Sequence, residues 1–131
     1  MNSLDGIGKS ILVVEDEPSL ADMCRIVLTR VGFEVEIAVN GRMAQDMLEK
    51  KQYHLCLIDI RMPKMSGEEL YQWLQKKFPK MANRVVFMTG SVIDGENVTF
   101  VGQSGRPLLL KPFALQELRA VVEEALKQVE K

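Results

Sequence analysis

Three acidic side chains stand at the ends of two aliphatic runs of the chain, where charge beside a core is costly. Glu15 and Asp16 follow the run Ile11–Val14, and Asp59 lies near the end of the run Leu55–Ile60. Neighbouring carboxylates repel one another, and a strand end next to a core solvates charge poorly. Convergence of the three carboxylates in one crevice would therefore require a cation. Oxygen ligands favour a hard ion, so we predict Mg²⁺, with Mn²⁺ as a substitute.

Two more polar side chains follow aliphatic runs further along the chain, Thr89 and Lys111. A divalent cation, an ammonium group and a hydroxyl donor together satisfy a phosphoryl group, because they neutralise its charge and donate hydrogen bonds to its oxygens. A carboxylate held among them, Asp59, could attack phosphorus and carry the group as an aspartyl phosphate. The residue types therefore predict phosphoryl chemistry.

The elements that must position these residues alternate between strands and helices. Five aliphatic or alternating segments predict strands over residues 11–14, 33–39, 55–60, 85–88 and 107–110, and the second of them reads as a half-buried edge strand. A segment with helical periodicity follows each strand. A βα unit repeated five times predicts a doubly wound α/β domain with a parallel sheet. The ligand site of such a sheet lies beyond the carboxyl ends of the strands, where the polar residues fall.

Residues typical of helix ends mark several boundaries. Pro18 fits the first turn of the first helix, and Gly32 stands where a C-cap glycine belongs. Asn40 can cap the second helix, and Ser66–Glu69 has the spacing of a capping box for the third. Pro79 predicts the end of that third helix.

Composition restricts the class of protein. The chain has 131 residues, 47% of them hydrophobic and 27% charged, which indicates one globular domain. Its net charge of −1 does not favour binding to nucleic acid or to an anionic membrane. No apolar run is long enough to span a membrane, and the first residues do not form a secretory signal. Residues 1–9 read as a flexible leader to a domain over residues 10–131. Cys24 and Cys56 fall in apolar patterns, which favours buried thiols in a reducing cytoplasm.

Four motifs occur in order along the chain: VEDEP over residues 14–18, DIRMPKMSG over residues 59–67, the pair Thr89-Gly90, and KPF over residues 111–113. Through these motifs the chain resembles, over about residues 10 to 130, the receiver domain of two-component response regulators, the fold of the bacterial chemotaxis regulator with strand order 2-1-3-4-5. Each motif alone is weak, but together, in order and at family-like spacing, they are highly specific.

The resemblance implies roles for the acidic residues. The family's phosphoacceptor corresponds to Asp59, and its acidic pair, which holds Mg²⁺ and its waters, corresponds to Glu15 and Asp16. Asp16 would be the direct ligand of that pair. The backbone carbonyl that completes the coordination would be that of Arg61.

The resemblance also assigns the other side of the crevice. The hydroxyl that moves toward the phosphoryl group would be that of Thr89, and Gly90 would leave phosphorus accessible. Lys111 would pair with the phosphoryl oxygens, and its peptide bond to Pro112 would be cis, as is typical of the family.

The chain departs from the family at one switch position. Three residues before the lysine many receivers carry Tyr or Phe, and here that residue is Leu108. The segment Ser91–Gly105 contains three glycines and predicts only a short or mobile helix. The stretch SGRPLLLKPF is more similar to the receivers of hybrid sensor kinases than to those of transcription factors.

The sequence therefore predicts a phosphoacceptor signalling domain, not an enzyme, that accepts a phosphoryl group on Asp59 and switches a protein surface. Its partners would be a histidine kinase or a histidine phosphotransfer protein, including the kinase core of the same polypeptide. One alternative is a receiver-like module that binds proteins without phosphorylation. The other is an aspartate-nucleophile Mg²⁺ phosphohydrolase, which would need a D-x-D pattern that Glu15-Asp16-Glu17 does not supply.

Overall fold

The computed structural model describes residues 8–90 and 95–129, which form a parallel sheet covered by helices. The five strands are β1 Ser10–Val14, β2 Glu34–Ala38, β3 Leu55–Asp59, β4 Val85–Thr89 and β5 Leu108–Leu110. The six helices are α1 Pro18–Val31, α2 Gly41–Lys50, α3 Gly67–Lys77, α4 Pro79–Ala82, α5 Gly95–Ser104 and α6 Leu115–Val129. The strand order is β2-β1-β3-β4-β5, with every neighbouring pair parallel, which confirms the predicted fold.

Burial of the strands follows their sequence patterns. The aliphatic strands β1, β3 and β4 are buried along their whole length, because helices cover both faces of the sheet. Strand β2 lies at the edge and is half-buried, as its alternating pattern predicts. It begins one residue later than the predicted segment, because the amide of Phe33 donates to the carbonyl of Leu28 at the end of α1. That amide is therefore engaged outside the sheet.

The helix ends behave as their residues predict. Pro18 is the first residue of α1, and Gly32 closes the helix in the left-handed conformation at φ 112°. The side chain of Asn40 accepts the amide of Met43 at 2.8 Å, which caps α2. Ser66 and Glu69 form a reciprocal capping box at the start of α3. These local bonds fix where each helix leaves the sheet edge.

The region after α3 contains a helix that the sequence did not predict. Pro79 ends α3 as expected, but it also begins the one-turn helix α4, since proline fits the first helical position without needing an amide partner. The amide of Phe78 closes α3 on the carbonyl of Leu74 at 2.7 Å. Further along, α5 forms over Gly95–Ser104, within the segment expected to be weakly helical, while residues 91–94 lie outside the described part of the chain.

Two apolar clusters, one on each face of the sheet, make up the core. One face packs against α2, α3 and α5 through residues that include Phe87 and Leu70, and the other packs against α1 and α6 through residues that include Met88 and Leu118. Cys24 and Cys56 are free thiols buried in these clusters, as their apolar surroundings predict. Within the described residues, no helix has both the length and the apolar character needed to cross a bilayer.

Candidate phosphoacceptor site

The register of the sheet brings the predicted site residues to one edge. Val14 of β1 pairs with Ile58 of β3, so Glu15 and Asp59 come next on adjacent strands. The amide of Lys111 donates to the carbonyl of Thr89 at 2.8 Å, so these two residues are neighbours where β4 and β5 end. The carboxyl ends of four neighbouring strands therefore meet around Asp59, as the alternation of strands and helices predicts.

Lys111 links the two buried acids. Its Nζ lies 2.7 Å from Oε1 of Glu15 and 3.0 Å from Oδ2 of Asp59. Both carboxylates are almost fully buried, with 1% of Glu15 and 3% of Asp59 exposed to solvent. Two ionised carboxylates at such depth need a positive charge at contact distance, and the ammonium group of Lys111 supplies it. Lys111 therefore fixes the geometry of the site from its fifth-strand side.

The acidic residues come close enough to hold one cation. Carboxylate oxygens of Glu15, Asp16 and Asp59 lie within 4.8 Å of one another, with Asp16 exposed at the mouth of the crevice. A donor set of oxygens only, with one face open to water, suits Mg²⁺, which keeps several of its waters when bound. The residues present therefore fit the predicted ion. The amide of Arg61 donates to Oδ1 of Asp59 at 3.3 Å, which turns the residue's backbone toward the same carboxylate.

The far wall of the crevice holds the remaining predicted residues. Thr89, the last residue of β4, is 2% exposed. A Cβ added at Gly90 would lie 3.7 Å from Cβ of Lys111, an ordinary van der Waals contact, so Gly90 lies against the stem of Lys111. The Lys111–Pro112 peptide bond is cis, as the resemblance implied. The structure thus places Glu15, Asp16, Asp59, Arg61, Thr89 and Lys111 at one sheet edge.

The surroundings of Glu15 disfavour its ionised form. Burial, together with the negative charge of Asp59, raises the pKa of Glu15 to about 7, although hydrogen bonds from Lys111 and from the amide of Glu17 partly oppose the rise. Burial would lower the pKa of Lys111, but its bonds to the two carboxylates outweigh that effect and raise the pKa. Around neutral pH Glu15 is therefore poised between its two protonation states, and a bound cation would favour the ionised form.

The raised pKa of Glu15 predicts that the stability of the metal-free chain depends on pH. Since the pKa of Glu15 is about 7 in the folded chain and 4.5 in the unfolded chain, the folded state holds more protons between these values. The free energy of unfolding should then fall as pH rises through that window, by about 3 kcal/mol. The raised pKa of Lys111 adds no slope here, because Lys111 stays protonated in both states.

Urea unfolding at several pH values in a chelating buffer measures this slope. The Glu15→Gln variant, which has no proton to gain, should show a flatter profile over the same window. Saturating Mg²⁺ should remove or reverse the slope for the wild-type chain, since the metal binds the ionised carboxylate. Equal slopes for the wild type and Glu15→Gln would contradict the assignment of this titration to Glu15.

Gly67 has a role that loop composition alone did not indicate. Its amide donates to the carbonyl of Ile60 at 2.8 Å, which closes the loop between β3 and α3. A Cβ at this position would lie 2.5 Å from the carbonyl oxygen of Asp59 and 2.8 Å from Cα of Ile60. Both contacts are with backbone, which cannot rotate away. The glycine is thus required for the start of α3 to approach the strand that bears Asp59.

Gly67→Ala is expected to lower the free energy of unfolding by about 3 kcal/mol, because the added methyl group displaces backbone at the end of β3. The matched control is Gly102→Ala in α5, where an added Cβ meets nothing within 4 Å. That control should be neutral or stabilising by up to about 1 kcal/mol, since alanine favours helix. Chemical denaturation compares the two. Equal stability of the two variants would show that the close approach at Gly67 is not limiting.

An aromatic cluster includes Phe87, the strand neighbour of Leu108, which stands where many receivers carry Tyr or Phe. The rings of Tyr71, Phe87 and Phe100 pack edge to face, with centroids 5.2 to 5.8 Å apart. Leu108 pairs with Phe87 across β4 and β5 and packs, half-buried, against the same core. Sequence reasoning missed this cluster, because its members come from three separate elements with no shared local pattern. The aliphatic Leu108 thus adjoins Phe87, one ring of an aromatic cluster to which α3, β4 and α5 contribute.

Comparison with known proteins agrees with this geometry. The family model described as response regulator receiver domain matches residues 11–123. The response regulator protein PilR of Pseudomonas aeruginosa is 31% identical over 116 residues, which are 88% of this chain and 26% of that protein. The chain spans between 19% and 54% of the length of the curated relatives compared.

Two solved structures share the fold closely. The signal receiver domain of a signal transduction histidine kinase from Syntrophus aciditrophicus superposes with a TM-score of 0.85 at 28% identity, covering 95% of this chain and 94% of that one. The response regulator protein TrrA from Thermotoga maritima, solved in complex with Mg²⁺ and BeF, gives a TM-score of 0.78 at 27% identity, covering 89% and 98%.

Proposed function

The chain belongs to the response regulator receiver domain family, and from its site we propose that Asp59 is the residue that accepts the phosphoryl group. The observation that carries the proposal is the position of Asp59. Its buried carboxylate stands at the end of β3, 3.0 Å from Nζ of Lys111 and within 4.8 Å of the oxygens of Glu15 and Asp16. A nucleophile, a fixed cation and a metal-binding pair at these distances are what phosphoryl transfer requires.

We propose Mg²⁺ as the resident cation, held by Glu15, Asp16, Asp59 and the carbonyl of Arg61, with Mn²⁺ able to substitute. The acidic cluster supports this, and so does the Mg²⁺ and BeF complex of the similar TrrA protein. When bound, the ion neutralises charge on the phosphoryl oxygens. Asp16, the exposed member, would be the first acid that an incoming ion meets.

In the proposed transfer, the phosphoryl group passes from a phosphohistidine of the partner to Asp59. A carboxylate oxygen of Asp59 forms a bond to phosphorus, the bond from phosphorus to an imidazole nitrogen of a phosphohistidine breaks, and that nitrogen keeps the electron pair. The ammonium group of Lys111, now bonded to Glu15 and Asp59, would turn toward the phosphoryl oxygens as the negative charge shifts. Burial of Asp59 limits water at the reacting atoms, which strengthens these electrostatic contacts.

The output that we propose is a change of protein surface. The hydroxyl of Thr89 would donate a hydrogen bond to the phosphoryl group and so draw the end of β4 toward Asp59. Movement of this strand end would shift the packing of the aromatic cluster of Tyr71, Phe87 and Phe100, because Phe87 belongs to the same strand as Thr89. The half-buried Leu108 would repack in place of the usual aromatic switch residue.

The partner that this proposal requires is a phosphohistidine protein: a histidine kinase, a histidine phosphotransfer protein, or the kinase core of the same polypeptide. The similar receiver domain from a histidine kinase supports the last of these. We also propose that residues 10–131 form the receiver domain, and that it acts in the cytoplasm, where the free thiols Cys24 and Cys56 would stay reduced. The domain would signal without a separate substrate, catalysing at most its own phosphorylation and dephosphorylation.

Incubation with acetyl phosphate and Mg²⁺, followed by intact mass measurement, tests the proposal. We expect one phosphoryl adduct per chain that disappears when a chelator replaces Mg²⁺. Absence of the adduct, with Mg²⁺ binding established by titration calorimetry and no transfer from a phosphorylated histidine kinase, would favour a module that binds proteins without phosphorylation. Sustained release of phosphate from small phosphomonoesters would favour a phosphohydrolase instead.

A further inference from the structure

A second concave surface lies at the end of the sheet opposite to Asp59. It is bounded by the end of α2, the segment Lys51–Tyr53, the end of α3 and helix α4, and it encloses about 470 Å³. We refer to this surface as the basal groove. Strands β3 and β4 begin beside it and end at the phosphoacceptor site. Five residues of extended strand place the two surfaces roughly 15 Å apart.

Positive charge dominates the lining of the basal groove. Five cationic side chains and one acid line it: Lys50, Lys51, Lys77, Lys80, Arg84 and Glu49. The chain as a whole has a net charge of −1, so this concentration is a local feature of one end of the molecule. It lies opposite the acidic cluster at the other end of the strands. Such a separation of charge indicates a surface selective for negative partners.

Only part of this charge is used within the chain. Lys77 pairs with Glu49 at 2.9 Å, and Lys51 pairs with Glu36 at 2.7 Å. Across residues 8–90 and 95–129, the structure shows no ion pair for the side chains of Lys50, Lys80 and Arg84. Lys50 can offset the dipole at the end of α2. Arg84 follows α4, a helix of only four residues, whose dipole gives little reason for a cation at that point.

The floor of the basal groove is apolar. Leu48, Tyr53 and Met81 are buried side chains that line it, and Phe78 and Pro79 complete the lining on the α4 side. An apolar floor under a rim of cations matches a ligand that combines an apolar side chain with carboxylates. Neither feature is needed for the phosphoryl chemistry at the other end of the sheet.

The aromatic rings of this region indicate which negative partner fits. Nζ of Lys77 lies 5.6 Å from the ring centre of Trp73 and 5.9 Å from that of Phe78, and Nζ of Lys51 lies 5.2 Å from the ring centre of Tyr53. Ammonium groups thus already cover ring faces that single-stranded nucleic acid would need for base stacking. A concave surface also matches a flat bilayer poorly. A peptide segment satisfies both the shape and the charge.

We propose that the basal groove binds an acidic segment of a partner protein, with its carboxylates on Lys50, Lys80 and Arg84 and one apolar side chain on the floor. This interaction is separate from phosphoryl transfer and would leave the site around Asp59 accessible. The groove is small compared with a stable protein interface, so binding would be weak and would weaken further as salt rises.

Fluorescence anisotropy of a labelled synthetic peptide, with a run of Glu and Asp around one Leu, measures this binding to the full chain. We expect saturable binding that falls at least 10-fold in the Lys50→Glu/Lys80→Glu variant. The matched control is Arg30→Glu/Arg42→Glu, which changes the net charge equally at exposed positions outside the groove. The control should bind within 2-fold of the wild type. Circular dichroism and thermal unfolding establish that both variants are folded.

Three other results would overturn the proposal. The first is absence of saturable binding of the peptide at low salt. The second is equal weakening by the groove variant and the control, which would show a non-specific charge effect. The third is tighter binding of a single-stranded DNA oligonucleotide or of vesicles containing phosphatidylserine than of the peptide.

A Met81→Lys variant tests the apolar floor separately. A charge on the floor should weaken binding of the Leu-containing peptide more than binding of a peptide in which Ser replaces Leu.

Discussion

Asp59→Asn is expected to abolish the phosphoryl adduct formed from acetyl phosphate and Mg²⁺. The amide is nearly isosteric with the carboxylate but has no negative oxygen with which to attack phosphorus. It also removes one of the three carboxylates that lie within 4.8 Å of one another, so Mg²⁺ should bind more weakly. Intact mass measurement under identical conditions should show only unmodified protein.

We expect the variant to stay folded. The substitution removes the repulsion between the carboxylates of Asp59 and Glu15, and Lys111 keeps its bond to Glu15. The charge of Asp59 raises the pKa of Glu15, and its removal should lower that pKa. In metal-free buffer at neutral pH the Asp59→Asn variant should be as stable as the wild type, or more stable by about 1 kcal/mol. Asp46→Asn, an exposed residue of α2, is the matched control and should accept the phosphoryl group normally. Retention of the adduct by Asp59→Asn would show that another residue is the acceptor.

Lys111→Met is expected to slow phosphorylation by about 10²-fold, the effect of removing one charged donor from a developing anion. The variant keeps the length and apolar stem of lysine and loses only the ammonium group. That group now lies 2.7 Å from Glu15 and 3.0 Å from Asp59. The rate of adduct formation at saturating Mg²⁺ isolates this loss from any change in metal affinity.

The same variant should also be less stable without metal, by about 3 kcal/mol, since it leaves two buried carboxylates without their counter-charge. Part of that cost is avoided because Glu15 can bind a proton, and its pKa should rise further in the variant. Lys64→Met, an exposed lysine of the loop between β3 and α3, is the matched control and should change neither quantity. An unchanged rate for Lys111→Met would place the lysine in a structural role only.

The elements other than α4, and their order, could be predicted because each has a local signal in the sequence. Aliphatic runs gave the strands β1, β3 and β4, alternation gave the edge strand β2, and proline, glycine and serine marked the helix ends. Helix α4 was missed because Pro79 gives the same signal for stopping one helix and starting another. Where a residue type has two local meanings, only the packing around it selects between them.

The composition of the site could be predicted, but its contacts could not. Acidic, hydroxyl and ammonium groups at successive strand ends indicated convergence, because parallel strands share one carboxyl edge. The bond of Lys111 to Glu15 joins residues 96 positions apart, and no periodicity reports it. The resemblance implied that Lys111 pairs with phosphoryl oxygens and that Glu15 holds metal. In the structure the two side chains bind one another, which offsets part of the negative charge of the crevice.

The steric requirement at Gly67 could not be predicted from the sequence either. As part of DIRMPKMSG it could be assigned to a loop, because glycine is common there. Its requirement comes from a carbonyl oxygen of Asp59 that an added Cβ would approach to 2.5 Å. Steric exclusion of this kind depends on how α3 packs against β3, so it appears only once the fold is known.

Chemical mapping of the adduct identifies the residue that carries the phosphoryl group. Borohydride reduces an aspartyl phosphate to homoserine, and peptide sequencing by mass spectrometry then locates the converted residue. After phosphorylation with acetyl phosphate and Mg²⁺, homoserine should appear at position 59 and at no other position. Conversion of Glu15 or Asp16 instead, or a phosphoryl group on His54, the single histidine of the chain, would contradict the assignment of Asp59 as the acceptor.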